Sequence, residues 1–136
     1  MMITQFDLDQ IQTPAYVLDD RALLQNLSLL NHIQEQTGCA LLLALKAFAL
    51  PEYFQYINQY LSGVSASSLH EVQLANAYNS PSIHVYSPAY KPAEFDAIQT
   101  LASHITFNSI SQWDYYRTQV RPGVQCGLRL NPNYSE

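Results

Sequence analysis

Residues 83–107 read IHVYSPAYKPAEFDAIQTLASHITF, and this stretch decides the fold. Ile83–Tyr86 is a short β-type run. Pro92 suits the first turn of a helix, which would carry Phe95, Ile98 and Leu101 on one face. His104–Phe107 is a second β-type run. Strand, helix and strand within 25 residues make one βα repeat.

The same unit recurs on both sides. The predicted strands are Ala40–Leu45, Gly63–Ser67, Ile83–Tyr86, His104–Phe107 and Cys126–Leu130, with starts 23, 20, 21 and 22 residues apart. Asp19 or Asp20 can cap a first helix bearing Leu23, Leu24, Leu27, Leu30 and Ile33, and Gly38 can stop it. Pro51 can open a helix with Tyr53, Phe54, Ile57 and Tyr60. Ser68 with Glu71, and Ser109 with Gln112, are two capping boxes. A further segment, Thr13–Asp19, reads as a short strand outside the repeat. Alternation at this period implies a parallel sheet with right-handed crossovers. Either an open doubly wound sheet or a (β/α)₈ barrel fits; a barrel closes with eight strands, of which about five are predicted here. Neither G-x-G-x-x-G nor a P-loop stands at the first βα junctions, which removes the usual dinucleotide and nucleotide readings.

Composition narrows the function classes. Of the 136 residues, 48% are hydrophobic, enough for a packed core, while 12% are charged, about half the usual share. The net charge is −5, and the six Lys and Arg are scattered. A nucleic-acid footprint needs clustered cations, so that partner class is not expected. The longest apolar run, Ala40–Leu45, is far short of a membrane span. The opening MMITQFDLDQ lacks the pattern of a secretory signal, so a cytoplasmic location is expected. Cys39 and Cys126 are predicted to be reduced, core-side thiols.

In parallel α/β folds, chemistry collects at the C-terminal ends of the strands. Lys46 follows the first strand. Ser65, Ser67 and Ser68 lie at the second, Tyr86 and Ser87 at the third, Asn108 and Ser109 at the fourth, and Arg129 and Asn131 at the fifth. Lys46 sits between apolar residues, where desolvation would disfavour its ammonium and favour a nucleophilic amine able to condense with an aldehyde. The alternative is a lysine reaching from the strand end into water. Arg129 can donate to a phenolate or carboxylate oxygen, or form an internal salt bridge. Ser68 is accounted for as a cap, and His70 by exposure in the first turn of that helix. His32, His84 and His104 lack metal-ligand spacing, so no metal site is expected.

Three stretches carry a family resemblance: Thr13-Pro14-Ala15-Tyr16-Val17-Leu18-Asp19, Leu42-Leu43-Ala44-Leu45-Lys46-Ala47-Phe48-Ala49 and Gly63–Val72. Ile105–Ser109 and Gly127–Pro132 follow in the right order. Together they resemble the carboxynorspermidine (carboxyspermidine) decarboxylases, pyridoxal-phosphate enzymes of the alanine-racemase-like fold. The resemblance implies the first part of a (β/α)₈ barrel, with Thr13–Asp19 pairing in a β-domain that lies beyond this chain. It implies polyamine biosynthesis on a carboxylated polyamine substrate, a cytoplasmic homodimer, and pyridoxal 5'-phosphate as cofactor. Carried over by position, Lys46 would hold the cofactor, Arg129 would lie near its ring oxygen, and Ser65 and Asn108 would line the pocket. Related ornithine and diaminopimelate decarboxylases usually carry an acidic residue where Ser65 stands. The resemblance also implies that residues 1–136 form only part of the barrel domain, the phosphate-binding loop lying in later strands. Another decarboxylase or racemase of the same fold, or a non-catalytic truncated homologue, are the rival readings.

Overall fold

The computed structural model describes residues 11–132 and 134; the opening decapeptide, read above for a signal, lies outside them. Helix α1 (Asp20–Thr37) leads into strand β1 (Leu42–Ala44). A 3₁₀ turn (Pro51–Tyr53) runs into α2 (Phe54–Tyr60). Then come β2 (Gly63–Ala66), α3 (Leu69–Ala77), β3 (Ile83–Tyr86), α4 (Pro92–Leu101), β4 (His104–Phe107), α5 (Ile110–Tyr116) and β5 (Gln125–Leu128). The predicted β3 and β4 match residue for residue, and the other three strands differ by one or two residues at their ends.

The five strands form one parallel sheet in the order β1-β2-β3-β4-β5. This order separates the two architectures left open above. A doubly wound sheet reverses direction at a switch point and carries helices on both faces. Here every crossover steps the same way, as around a barrel, so the helices gather on one side. Burial agrees. Val64, Ala66, Ile83, Val85, Ile105 and Phe107 are buried in one cluster with Phe54, Val72, Phe95, Ile98 and Tyr116 of the helices. The alternate residues point the other way. The register aligns Ala44, Ser65, His84, His104 and Gln125 across all five strands on that second face, where Ser65, His84 and His104 are only half-buried.

Local signals act as read. Asp19 caps α1, its Oδ1 accepting from the N–H groups of Arg21 and Ala22 at 2.9 and 3.0 Å. Gly38 ends it at φ 71°, the left-handed conformation that a side chain disfavours. Gly63 meets a different need. A Cβ there would collide with the carbonyl of Ser82, which accepts the Val64 N–H at 2.8 Å. Ser68 and Ser109 each accept from the third residue of their helices, Glu71 and Gln112, at 3.3 and 3.1 Å. The reciprocal bonds reach one residue further back than in a standard box: Glu71 accepts from Ser67 N–H at 2.6 Å, and Gln112 from Asn108 N–H at 2.7 Å.

Residues 13–19, expected to pair in a β-domain beyond this chain, meet no strand partner among the described residues, and Tyr16 and Val17 are exposed. Two expectations are corrected. The face of α1 is only partly covered: Leu27 is buried, whereas Leu24 and Ile33 are exposed, since α1 lies by β1 at the sheet edge. Cys39 and Cys126 are free, as predicted, but exposed rather than core-side. Cys39 follows the α1 cap, and Cys126 lies on β5, the other edge strand, every residue of which is exposed.

Candidate active site at the strand ends

Parallel strands that begin level deliver their last residues to one rim. On that rim β3, β4 and β5 bring three side chains into contact. Arg129 is fixed by its backbone N–H, which donates to Phe107 O at 2.8 Å and so continues the β4–β5 ladder. Its Nη1 donates to Tyr86 Oη at 2.6 Å and reaches Asn108 Oδ1 at 3.4 Å. Tyr86 Oη in turn donates to Asn108 Oδ1 at 2.8 Å. The guanidinium carbon lies 5.4 Å from the centroid of the Tyr86 ring, a cation–π distance.

The predicted residues are thus partly assembled. Arg129 and Asn108 meet. The internal salt bridge offered as an alternative for Arg129 is not what holds it, because its partners are neutral. Ser65 lies on the same polar face, in register with Ala44 of β1 and His84 of β3. Lys46 stands just past β1, in a turn closed by Ala47 N–H donating to Ala44 O at 3.0 Å. The expectation that apolar neighbours would desolvate Lys46 is corrected. Leu45 is buried on the helix side, but Lys46 and Ala47 are exposed. Neighbours in sequence are here not neighbours in space. Ser68 is a cap and His70 is exposed, as expected of them, while Ser67 Oγ donates to Glu71 Oε2 at 3.0 Å.

Tyr86 was legible as a strand-end residue but not as a partner of Arg129. A signal existed. Tyr86, Asn108 and Arg129 are separated by 22 and 21 residues, the strand-to-strand period itself. Residues one period apart at strand ends of a parallel sheet stand side by side.

Charge sets the chemistry of the rim. Lys91, Arg117 and Arg121 pair with Glu94, Asp114 and Asp96 at 2.9, 3.4 and 2.9 Å. Lys46 and Arg129 make no ion pair with any described carboxylate. Two uncompensated cations, one a primary amine and one a fork of N–H donors, suit an anionic aldehyde ligand. Below them, His84 and His104 stack at 3.8 Å. Burial, and secondarily the charge of His104, lowers the His84 pKa. A cleft of about 330 Å³ among Asp20, Leu23, Leu24, Glu52, Tyr53, Gln55 and Tyr56 includes none of the rim residues. The exposed face of an open sheet is a surface rather than a cavity, so volume does not mark the rim.

No protein-family model matches the chain. It is 43% identical over 129 residues to a carboxyaminopropylagmatine decarboxylase of Synechocystis sp., covering 94% of this chain and 33% of that protein. It is 39% identical to carboxynorspermidine/carboxyspermidine decarboxylases of Campylobacter jejuni and Herminiimonas arsenicoxydans, over 127 and 125 residues, covering 93% and 92% of this chain. The crystal structure of the Campylobacter jejuni carboxynorspermidine decarboxylase, complexed with norspermidine, superposes with a TM-score of 0.87 at 39% identity. The chain is similar in sequence and fold to the N-terminal part of carboxynorspermidine decarboxylases. The match covers 92% of this chain and 34% of the carboxynorspermidine decarboxylase structure, so the chain spans about a third of its relatives. The five parallel strands and their helices match the N-terminal part of the carboxynorspermidine decarboxylase structure.

Proposed function

We propose that these residues form the cofactor-lysine portion of a pyridoxal-phosphate-dependent decarboxylase, acting on carboxynorspermidine or carboxyspermidine to give norspermidine or spermidine. The observation that carries the reading is 39–43% identity to decarboxylases of carboxylated polyamines across more than nine-tenths of this chain. The donor set supports it. Lys46 offers an exposed amine without a carboxylate partner to bond the cofactor's aldehyde carbon. Arg129 offers N–H groups for an anionic ring oxygen, with Asn108 beside it. Ser65 lines the same face one strand from Lys46. A cytoplasmic homodimer completes the reading, and no helix among the described residues is long and apolar enough to cross a membrane.

Bound pyridoxal phosphate supplies an electron sink for the pair left behind when CO₂ departs. The protein's own tasks are positional. Lys46 Nζ would hold the cofactor's aldehyde carbon and, when not bonded to it, could carry a proton. Arg129 would donate to the ring oxygen and favour its anionic form.

The test is reductive trapping. The chain is incubated with pyridoxal phosphate, reduced with borohydride and mapped by mass spectrometry. Selective modification of Lys46 over Lys91 is expected. Equal modification of the two, or none, would overturn the reading. The 43% identity to a carboxyaminopropylagmatine decarboxylase favours a second substrate, one ending in a guanidino group. Comparing CO₂ release from the two substrate types decides between them.

A further inference from the structure

We propose that Tyr86 is the positioning residue for Arg129: it orients the guanidinium toward an anionic ligand oxygen without neutralising it. The inference rests on the reading of Arg129 given above and deepens it. Tyr86 has one hydroxyl proton, and that proton goes to Asn108 Oδ1 at 2.8 Å. The lone pairs of Tyr86 Oη are therefore left to accept from Arg129 Nη1, at 2.6 Å. Asn108 is anchored by its backbone N–H, which donates to Gln112 Oε1 of α5 at 2.7 Å. Gln112 is itself tethered by Nε2 donating to Pro88 O at 3.3 Å, in the loop after Tyr86. Three strands and a helix thus converge on one guanidinium.

The choice of partner matters chemically. A carboxylate would hold Arg129 more strongly but cancel the charge that attracts an anion. A neutral phenol oxygen, with its ring beneath the cation at 5.4 Å, fixes direction and leaves the charge available. A guanidinium has five N–H donors. Tyr86 and Asn108 engage Nη1 alone, so Nε and Nη2 remain to face a ligand.

The test compares the chain with its Tyr86→Phe variant, which keeps the ring and removes only the hydroxyl. Two measurements are made. In the first, arginines are modified with phenylglyoxal and mapped by mass spectrometry. Arg129 should react several-fold faster in the variant while Arg117 is unchanged; an unchanged Arg129 overturns the proposal. In the second, affinity is measured for pyridoxal phosphate and for its 3-O-methyl analogue, which lacks an anionic ring oxygen. Tyr86→Phe should weaken the parent aldehyde about tenfold, the equivalent of one charge-assisted hydrogen bond, and leave the analogue unaffected. A general structural loss would weaken both alike, and that result also overturns the proposal. If the unaltered chain binds neither aldehyde, the cofactor reading falls, and the phenylglyoxal rates alone decide whether Tyr86 positions Arg129.

Discussion

Replacing Phe107 with Leu should destabilise the fold by about 3 kcal/mol. Phe107 is fully buried and sits directly before Asn108. Its ring meets those of Tyr90, Trp113 and Tyr116 at 5.9, 5.3 and 6.4 Å. Leucine has roughly three fewer side-chain carbons, which at ~0.8 kcal/mol each gives ~2.4 kcal/mol of lost burial. Lost edge-to-face ring contacts add ~0.5–1 kcal/mol. The denatured chain already buries part of this surface, so the sum is an upper figure. Leucine is preferred to alanine, whose cost of ~3–5 kcal/mol is a large share of the ~5–15 kcal/mol typical of a domain. Urea denaturation followed by circular dichroism gives the midpoint and the slope. Ile110→Ser, at a position 67% exposed, serves as the control and should change stability by less than ~0.5 kcal/mol. A Phe107→Leu loss below ~1 kcal/mol, at an unchanged slope, would refute the claim that this ring anchors the β4 end of the core.

Two further perturbations probe the layers on either side of the sheet. Tyr90 is buried, and its hydroxyl lies 3.1 Å from Val85 O and 2.9 Å from Thr106 O, tying β3 to β4 just under the rim. Tyr90→Phe should cost ~1–2 kcal/mol in the same urea assay, and a variant as stable as the parent would show the bridge to be idle. On the polar face, His84 has a pKa lowered first by burial and then by His104. The unfolded chain takes up this proton near pH ~6.5, whereas the folded chain resists it to lower pH. Acid therefore favours unfolding. Stability should be full above that value and fall as pH drops through the folded pKa. His84→Gln should flatten this part of the profile; an identical slope in both proteins would remove His84 as the cause.

Much of the fold was legible because it depends on period. The 20-to-23-residue spacing, the two Ser caps and Gly38 are local signals, and each acts locally in the structure. The strand order was not legible, since one alternation serves both a doubly wound sheet and a barrel; only pairing decides. Burial at the edges was misjudged for the same reason. Cys126 and Lys46 were read from the character of their sequence neighbours, but exposure is set by which elements lie across from them. Arg129 and Asn108 were placed by resemblance, and the structure adds that they touch. Tyr86 was legible as a strand-end residue, but its contact with Arg129 crosses from β3 to β5 and shows only once the strands are paired.

The alternation of the strands explains how one short sheet carries both a core and a candidate site. Along β4, Ile105 and Phe107 go to the helices while His104, Thr106 and Asn108 go to the other face. Each strand residue is therefore committed to packing or to chemistry, and neighbouring positions should respond to different assays. Phe107→Leu should move the urea midpoint strongly, and its effect on Arg129 should be only indirect. Tyr86→Phe should scarcely move the midpoint and should act on Arg129 reactivity. A variant on the polar face that changed stability as much as Phe107→Leu would mean that this face is a second core. The half-buried His84 and His104, stacked at 3.8 Å and bounded by Ser103 and Gln125 within hydrogen-bond reach of His104, argue otherwise. Their partners are polar, and a face built from polar partners is one that can remain open to a ligand.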